Sequence, residues 1–163
     1  MFEIVFESER ITFVKITNEL VHEYLEMVND ESVQRSISNK IRTYTLEMEY
    51  EWIEKKLATN FQVFSMIEKK TNEFIGNIEI RIFEDNHGEL GIAITPRKQN
   101  NHFGQESIQA IIKYAFETLK VQMIDLHAFD FNQRAIHCYQ KVGFEIDPEG
   151  KDGQSIHMIY KGK

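Results

Sequence analysis

The stretch Asn132-Gln-Arg-Ala-Ile-His-Cys-Tyr139-Gln-Lys-Val-Gly143-Phe144 is the most informative part of this sequence. Its spacing, Asn-x-x-Ala-x-x-x-Tyr-x-x-x-Gly-Phe, predicts a helix that Asn132 caps and Gly143 ends. Phe144 then begins a strand that returns to a sheet. Taken alone, Asn132 is typical of a helix cap and Tyr139 of a packed aromatic residue whose hydroxyl group is satisfied. The complete spacing is much harder to obtain by chance.

Upstream, the loop Gln99-Asn-Asn-His-Phe-Gly104 runs directly into an amphipathic helix. A loop that opens a helix offers unpaired backbone N–H groups to an anion. Gly104 would let a phosphate approach closely, and Asn100, Asn101 and His102 tolerate left-handed backbone conformations better than most residues. An ordinary polar connection that caps a helix explains the same residues. The loop by itself therefore does not distinguish these interpretations.

Composition favours a single compact domain over residues 1–163. The formal net charge of −7 argues against nucleic acid as the main partner, because phosphate binding needs a basic face. Cys138 is the only cysteine, which excludes an internal disulfide and fits a reducing compartment. No stretch approaches the length of a membrane span, and the first residues do not resemble a signal peptide. We therefore expect a cytoplasmic protein with no membrane partner.

The hydrophobic pattern predicts an α+β fold. Strands are predicted at 10–16, 62–68, 74–83, 89–95, 122–129, 144–147 and 155–160, with a possible further strand at 2–6. Helices are predicted after the candidate caps Asn18 and Thr45, after Gly104, and over 132–142, whereas 29–43 is predicted to be a polar connection. The strand–helix–strand unit near the end of the chain predicts one parallel pair.

Together these segments resemble the GNAT superfamily of N-acetyltransferases, in particular the branch of ribosomal-protein N-terminal and spermidine acetyltransferases. The likeness covers nearly the whole chain. It extends to Glu9-Arg-Ile11, Asn29-Asp-Glu-Ser-Val33, Trp52, Phe74-Ile-Gly76 and Glu89-Leu-Gly-Ile92. One position departs from the family pattern, because His102 stands where the cofactor loop usually has its first glycine. The resemblance implies a mixed central sheet of six to seven strands with about four helices and a cofactor cleft between two splayed parallel strands.

The resemblance also implies acetyl-CoA as the co-substrate and assigns residues to it. The backbone of Ile92, Ala93 and Ile94 would contact the pantetheine arm and polarise the thioester carbonyl. Asn132 would contact the pantetheine side of the cofactor, and Tyr139 would lie near the sulfur and protonate the departing thiolate. The pyrophosphate would be held by the loop and the helix start, namely Gln99, Asn100, Asn101, His102, Phe103, Gly104 and Gln105.

The reaction also needs a base, because an alkylamine with a pKa of about 10 is protonated near neutral pH. Glu79 and Glu89 are the two candidate carboxylates, and a solvent-facing strand position explains either of them equally well. Direct transfer requires no cysteine nucleophile, so Cys138 is predicted to be a small core residue. No metal is expected, because the spacing of His87, His127 and His137 is not that of metal ligands.

The acceptor is predicted to be a primary amine, either a small polyamine-like molecule or a protein N-terminus. Negative net charge and Glu79 favour a cationic amine, whereas Arg35, Lys40 and Arg42, expected to border the acceptor cleft, oppose it. His102 keeps an alternative open, a CoA-binding sensor or interaction domain of the same fold without efficient turnover. A homodimer is implied by resemblance only.

Overall fold

The computed structural model describes residues 1–38, 40–59 and 61–162, which form an α+β structure. Its strands are β1 Ile4–Glu7, β2 Ile11–Lys15, β3 Gln62–Glu68, β4 Phe74–Ile82, β5 His87–Ile94, β6 Met123–Phe129, β7 Phe144–Asp152 and β8 Ser155–Tyr160. Its α-helices are α1 Val21–Val28, α2 Glu31–Ile37, α3 Leu46–Leu57, α4 Phe103–Glu117 and α5 Gln133–Val142. Among these residues, no helix is both long and apolar enough to cross a bilayer.

The eight strands form one sheet in the order β1-β2-β3-β4-β5-β6-β8-β7, in which only β5 and β6 are parallel neighbours. Their pairing ends at Leu90 and Leu126. Beyond that point β5 stays paired with β4 as far as Ile94, and β6 stays paired with β8 as far as Phe129. The two parallel strands therefore separate, and the sheet contains a gap beside the second half of β5.

Successive side chains along each strand point to opposite faces of the sheet, and both faces are buried. Phe13 and Phe64 belong to the core beneath α4 and α5, whereas their chain neighbours Val14 and Val63 belong to the core beneath α1, α2 and α3. Helices therefore cover both faces of the sheet.

The fold class and the splayed parallel pair are confirmed, with one strand and one helix more than expected. The additional helix is α2, within the predicted polar connection 29–43. The Asp30 carboxylate caps it by accepting a hydrogen bond from the Val33 amide at 3.1 Å. Seven residues, of which only two are buried, are too few to produce a periodic apolar pattern. The additional strand is β1, whose four residues match the possible strand at 2–6.

Two predicted helix caps are confirmed and one is wrong. Thr45 Oγ1 accepts a hydrogen bond from the Met48 amide at 3.2 Å, and Asn132 Oδ1 accepts one from the Ala135 amide at 3.4 Å. Asn18 instead lies inside a 3-10 turn that Thr17 caps, and α1 begins only at Val21. At the other end of α5, Gly143 has a φ of 124°, which only glycine adopts readily.

Candidate active site

Two cavities meet at the gap between β5 and β6. One, of about 530 Å³, extends along the loop before α4 and is called the loop cavity here. The other, of about 410 Å³, lies beneath α2 and α3, contains two glutamates in its wall, and is called the carboxylate cavity. The residues that line both cavities are Ser36, Ile92, Ala93, Asn132 and Tyr139. A molecule in one cavity can therefore contact a molecule in the other beside these residues.

The start of α4 supplies the loop cavity with free backbone donors. His102 has a left-handed φ of 63° and makes no side-chain cap, unlike the residues that cap α2, α3 and α5. The first helical hydrogen bond runs from the Glu106 amide to the His102 carbonyl at 3.2 Å. The amides of 103–105 precede that bond, so they can donate to an anion at the positive end of the helix dipole.

Gln99 holds the loop against β5 and against α5. Its Nε2 donates to the Ile94 carbonyl at 2.9 Å, and its Oε1 accepts a hydrogen bond from Arg134 Nη2 at 3.3 Å. Asn100 takes a left-handed φ of 65°, as its residue type allows. Asn101 differs from the expectation: it does not line the loop cavity, and its Nδ2 donates to the Gln99 carbonyl at 3.0 Å. Asn101 therefore stabilises the loop from outside.

Cations in the wall of the loop cavity were not found from the sequence. Arg134 and Lys141 line it from α5, one residue near each end of the helix. Lys98 also lines it, but its Nζ lies 2.8 Å from Glu68 Oε1 and 2.7 Å from Glu73 Oε1. These two carboxylates raise the pKa of Lys98 and neutralise its charge. Among the described residues that line this cavity, Arg134 and Lys141 are therefore the lysine and arginine side chains that remain for an anionic ligand.

Tyr139 stands where the two cavities meet, and its ring packs edge-on against Phe144. Burial raises the pKa of Tyr139 to about 12, so the phenol stays protonated throughout the neutral range. Within the described residues the hydroxyl group has no hydrogen-bond partner, although a packed tyrosine usually has one. Tyr139 can therefore donate its proton to a group in the cavities.

Cys138 packs against the core, as expected, and also lines the loop cavity. Burial raises the pKa of its thiol, partly offset by Lys141 and Arg134. A cysteine nucleophile needs a lowered pKa, because the thiolate is the reactive form. Cys138 is accordingly unsuited to that role.

The two predicted bases lie in different surroundings. Glu79 lines the carboxylate cavity opposite Gly91 of β5, and the Lys56 ammonium lies 3.3 Å from its Oε2. Glu89 lines neither cavity, and its Oε2 lies 3.5 Å from His127 Nε2. The structure thus places Glu79, rather than Glu89, in the wall of the carboxylate cavity.

Glu49 is a second carboxylate of this cavity, and the sequence did not indicate it. It lies on α3 with only 4% of its surface exposed, and burial raises its pKa. No side-chain hydrogen bond to it occurs within the described part of the chain. In the sequence it is one of four glutamates in a twelve-residue helix, and no local pattern distinguishes the buried one.

The expected basic border of this cavity is not observed. Arg35, Lys40 and Arg42 do not line it. Arg35 instead pairs with Glu31, one turn earlier in α2, at 2.6 Å. Among the described residues, the wall of the carboxylate cavity therefore contains two glutamates and neither lysine nor arginine, a balance that favours a cationic molecule.

Comparison with known proteins identifies the family. The model of the acetyltransferase (GNAT) domain matches residues 10–145, most of the chain. The chain belongs to the GNAT acetyltransferase domain family. This GNAT chain is 35% identical over 80 residues, 49% of its length, to the acetyltransferase PseH of Campylobacter jejuni. It is 27% identical over 116 residues, 66% of its length, to the spermidine N(1)-acetyltransferase of Vibrio cholerae. The matches span 50% and 67% of those relatives.

Solved structures confirm the fold. A GNAT-family acetyltransferase from Bacillus anthracis superposes with a TM-score of 0.83 at 20% identity, covering 98% of this chain and 97% of that one. The spermidine N-acetyltransferase of Vibrio cholerae, in a complex with CoA and spermine, gives a TM-score of 0.83 at 19% identity, covering 93% and 95%. The expected enzyme class, an acetyltransferase, agrees with this family.

Proposed function

We propose that this chain is an acetyl-CoA-dependent N-acetyltransferase that acts on a small cationic primary amine. The observation that carries the proposal is the meeting of the two cavities at Tyr139 and the separated half of β5. One cavity offers backbone N–H groups and cations, which suit a pyrophosphate. The other offers carboxylates, which suit an ammonium group. A thioester and an amine bound in this way would meet beside a protonated phenol.

The loop cavity would hold acetyl-CoA. The amides of 103–105 would donate to the pyrophosphate, and Arg134 and Lys141 would balance its charge. The backbone of 92–94 no longer pairs with β6, so it can pair with the pantetheine arm. Asn132 uses its Oδ1 to cap α5, which leaves its Nδ2 for the same arm.

In the reaction, Glu79 would first accept a proton from the bound ammonium group. The free amine would then attack the thioester carbonyl, forming the C–N bond, and a backbone N–H of β5 would stabilise the oxyanion. When the C–S bond breaks, the thiolate would receive the Tyr139 proton. The nitrogen would lose its second proton to water, Tyr139 would regain a proton from solvent, and Glu79 would release its proton to solvent. The pKa of Tyr139 does not prevent this step, because desolvation destabilises a buried thiolate for the same reason that it destabilises a phenolate.

Two carboxylates in one cavity favour an acceptor with more than one positive charge. Glu79 would bind the reacting amine beside β5, and Glu49, from α3, would bind a second ammonium group. Lys56 reduces this attraction without cancelling it. The relative from Vibrio cholerae, named as a spermidine acetyltransferase, supports the same class of acceptor.

A screen of acceptors tests the proposal. Thiol release from acetyl-CoA would be measured with monoamines, diamines, polyamines and N-terminal peptides, and di- or polyamines should give the highest kcat/KM. Acetyl-CoA should also raise the unfolding temperature, since a ligand at about 100 times its Kd adds about 2.7 kcal/mol to stability. Thermal stabilisation without thiol release would favour the binding-domain alternative. If acetyl-CoA causes neither thermal stabilisation nor thiol release, the enzyme and the binding-domain interpretations are both contradicted. A cytoplasmic location and a homodimer stay predictions.

A further inference from the structure

We propose that Asp125, His127 and His157 form a binding site for a divalent transition-metal ion such as Zn²⁺, on β6 and β8. One ligand atom from each residue lies within 4.8 Å of the others. His127 and His157 face each other directly across the antiparallel pair, and Asp125 precedes His127 by two residues on the same face of β6. The three side chains therefore project from the same face of rigid strands.

The spacing suits a zinc ion after small side-chain rotations. Ligand atoms at about 2.1 Å from a tetrahedral ion lie about 3.4 Å apart. His157 Nε2 and Asp125 Oδ2 are 2.7 Å apart, and no pair of ligand atoms exceeds 4.8 Å. The distance between any two of these ligand atoms would therefore change by about 1.4 Å at most when the ion binds. Two imidazoles and a carboxylate form a ligand set that Zn²⁺ and similar ions accept.

An orphaned oxygen is the second observation that points to a ligand. Asp125 is 6% exposed, and its Oδ1 is the one buried side-chain polar atom of the described residues that has no hydrogen-bond partner. His87 Nε2 lies 3.6 Å from this oxygen, too far for a hydrogen bond. A buried carboxylate oxygen without a partner is costly. A cation that the Asp125 carboxylate chelates with Oδ1 as well as Oδ2 would satisfy it.

The surrounding residues would orient the ligands. Asp147 Oδ2 lies 3.0 Å from His157 Nδ1, so this carboxylate can hold the tautomer that leaves Nε2 for a metal. Glu89 lies opposite Asp125 on β5, and its Oε2 lies 3.5 Å from His127 Nε2, so it is available as a fourth ligand. Three carboxylates close to two imidazoles also attract a dication.

Without a metal, a protonated His157 would bridge Asp125 and Asp147. Burial alone would lower the pKa of His157, but hydrogen bonds to these two carboxylates raise it. The protonated bridge and the metal site are alternative states of the same residues. Metal titration distinguishes them directly.

The test is calorimetric titration of the chelator-treated full chain with ZnCl₂, together with the visible absorption of a Co²⁺-loaded sample. One site per chain is expected, with a Kd in the micromolar range or below and an unfolding temperature that rises with metal. His127→Ala and Asp125→Asn should each weaken binding at least tenfold, and Asp147→Asn should weaken it about tenfold. His127 is about half exposed, so its variant should fold normally. His22→Ala removes an exposed histidine of α1 and should bind as the wild type does.

Absence of Zn²⁺ and Co²⁺ binding, or binding that His127→Ala and Asp125→Asn leave unchanged, would overturn the proposal. One consequence rests on the proposed function: His127 lines the carboxylate cavity, so a bound dication should raise the KM for a cationic amine in wild type. His127→Ala should abolish that increase. Binding without the increase would leave the metal site intact and count against a cationic acceptor.

Discussion

The loop cavity and the carboxylate cavity share one wall but are built in different ways. The loop cavity takes its donors from the backbone of one junction, 99–105, and its remaining wall mostly from β5 and α5. The carboxylate cavity takes its charges from side chains on α3 and β4, helped by residues of α1 and α2. A backbone site tolerates changes of residue type, whereas a side-chain site depends on a few individual residues. The comparison predicts large effects where the cavities meet and small effects in the loop.

The largest effect is expected at the shared wall. Tyr139→Phe should lower kcat about a hundredfold or more, because it removes the proton donor, while the Kd for acetyl-CoA changes little. With a pKa of about 12, Tyr139 should add no descending limb to the pH–rate profile below about pH 11. Tyr50→Phe, at an exposed position of α3, is the matched control. Unchanged turnover would remove Tyr139 from this role.

The second-largest effect is expected from a residue that lines only the carboxylate cavity. Glu79→Gln should lower kcat/KM by about a hundredfold and flatten the alkaline-rising limb of the pH–rate profile, because a neutral amide cannot accept the ammonium proton. The measurement is a steady-state pH series with the best amine from the screen. Glu84→Gln, at an exposed position after β4, should keep the wild-type profile. A profile unaltered by Glu79→Gln would transfer the base to Glu89 or to water.

Glu49→Gln should weaken the binding of a diamine without lowering the stability of the folded chain. Loss of one charge contact worth about 1.4 kcal/mol would raise the KM for a diamine about tenfold and leave a monoamine unaffected. Glu47→Gln, two residues earlier on the exposed side of α3, is the control. An equal change for mono- and diamines would argue against a second ammonium site.

The same variant should be more stable than the wild type at neutral pH. Burial raises the pKa of Glu49, so the folded state holds this proton more tightly than the unfolded state. Its contribution to stability is complete below the unfolded pKa and is lost as the pH rises through the folded pKa. Glu49→Gln should therefore raise the denaturation midpoint at pH 7, and the gain should shrink towards acid pH.

The smallest effect is expected in the loop. His102 occupies a left-handed position that glycine holds without strain, but glycine also increases the entropy of the unfolded chain. These contributions nearly cancel, so His102→Gly should change the free energy of unfolding by less than about 1 kcal/mol and leave acetyl-CoA binding nearly unchanged. His102→Val should lower stability and binding together, because a β-branched residue strains this backbone. Lost binding in the glycine variant would show that the imidazole itself contacts the cofactor.

Much of the fold could be predicted because its signals are local. Apolar periodicity indicated α4, strand-like runs separated by turn residues indicated β3, β4 and β5, and Thr45 and Asn132 indicated two helix starts. The prediction failed where the chain makes short elements from polar residues. Helix α2 offers too few buried positions to reveal a period, and Asn18 precedes a 3-10 turn that no simple pattern separates from a helix.

The sequence by itself indicated the family and one parallel pair, because the spacing of 132–144 and the strand–helix–strand order can be read along the chain, whereas it left the role of the loop 99–104 open. Only the tertiary structure decided which charges face the amine. Glu79 was a candidate from its strand, but burial selects Glu49 among the glutamates of α3, and the arginines of 35–42 lie outside the cavity wall. The cluster of Asp125, His127 and His157 likewise exists only because β8 returns beside β6 some thirty residues later. Side chains that converge from distant segments carry no signal in the local sequence.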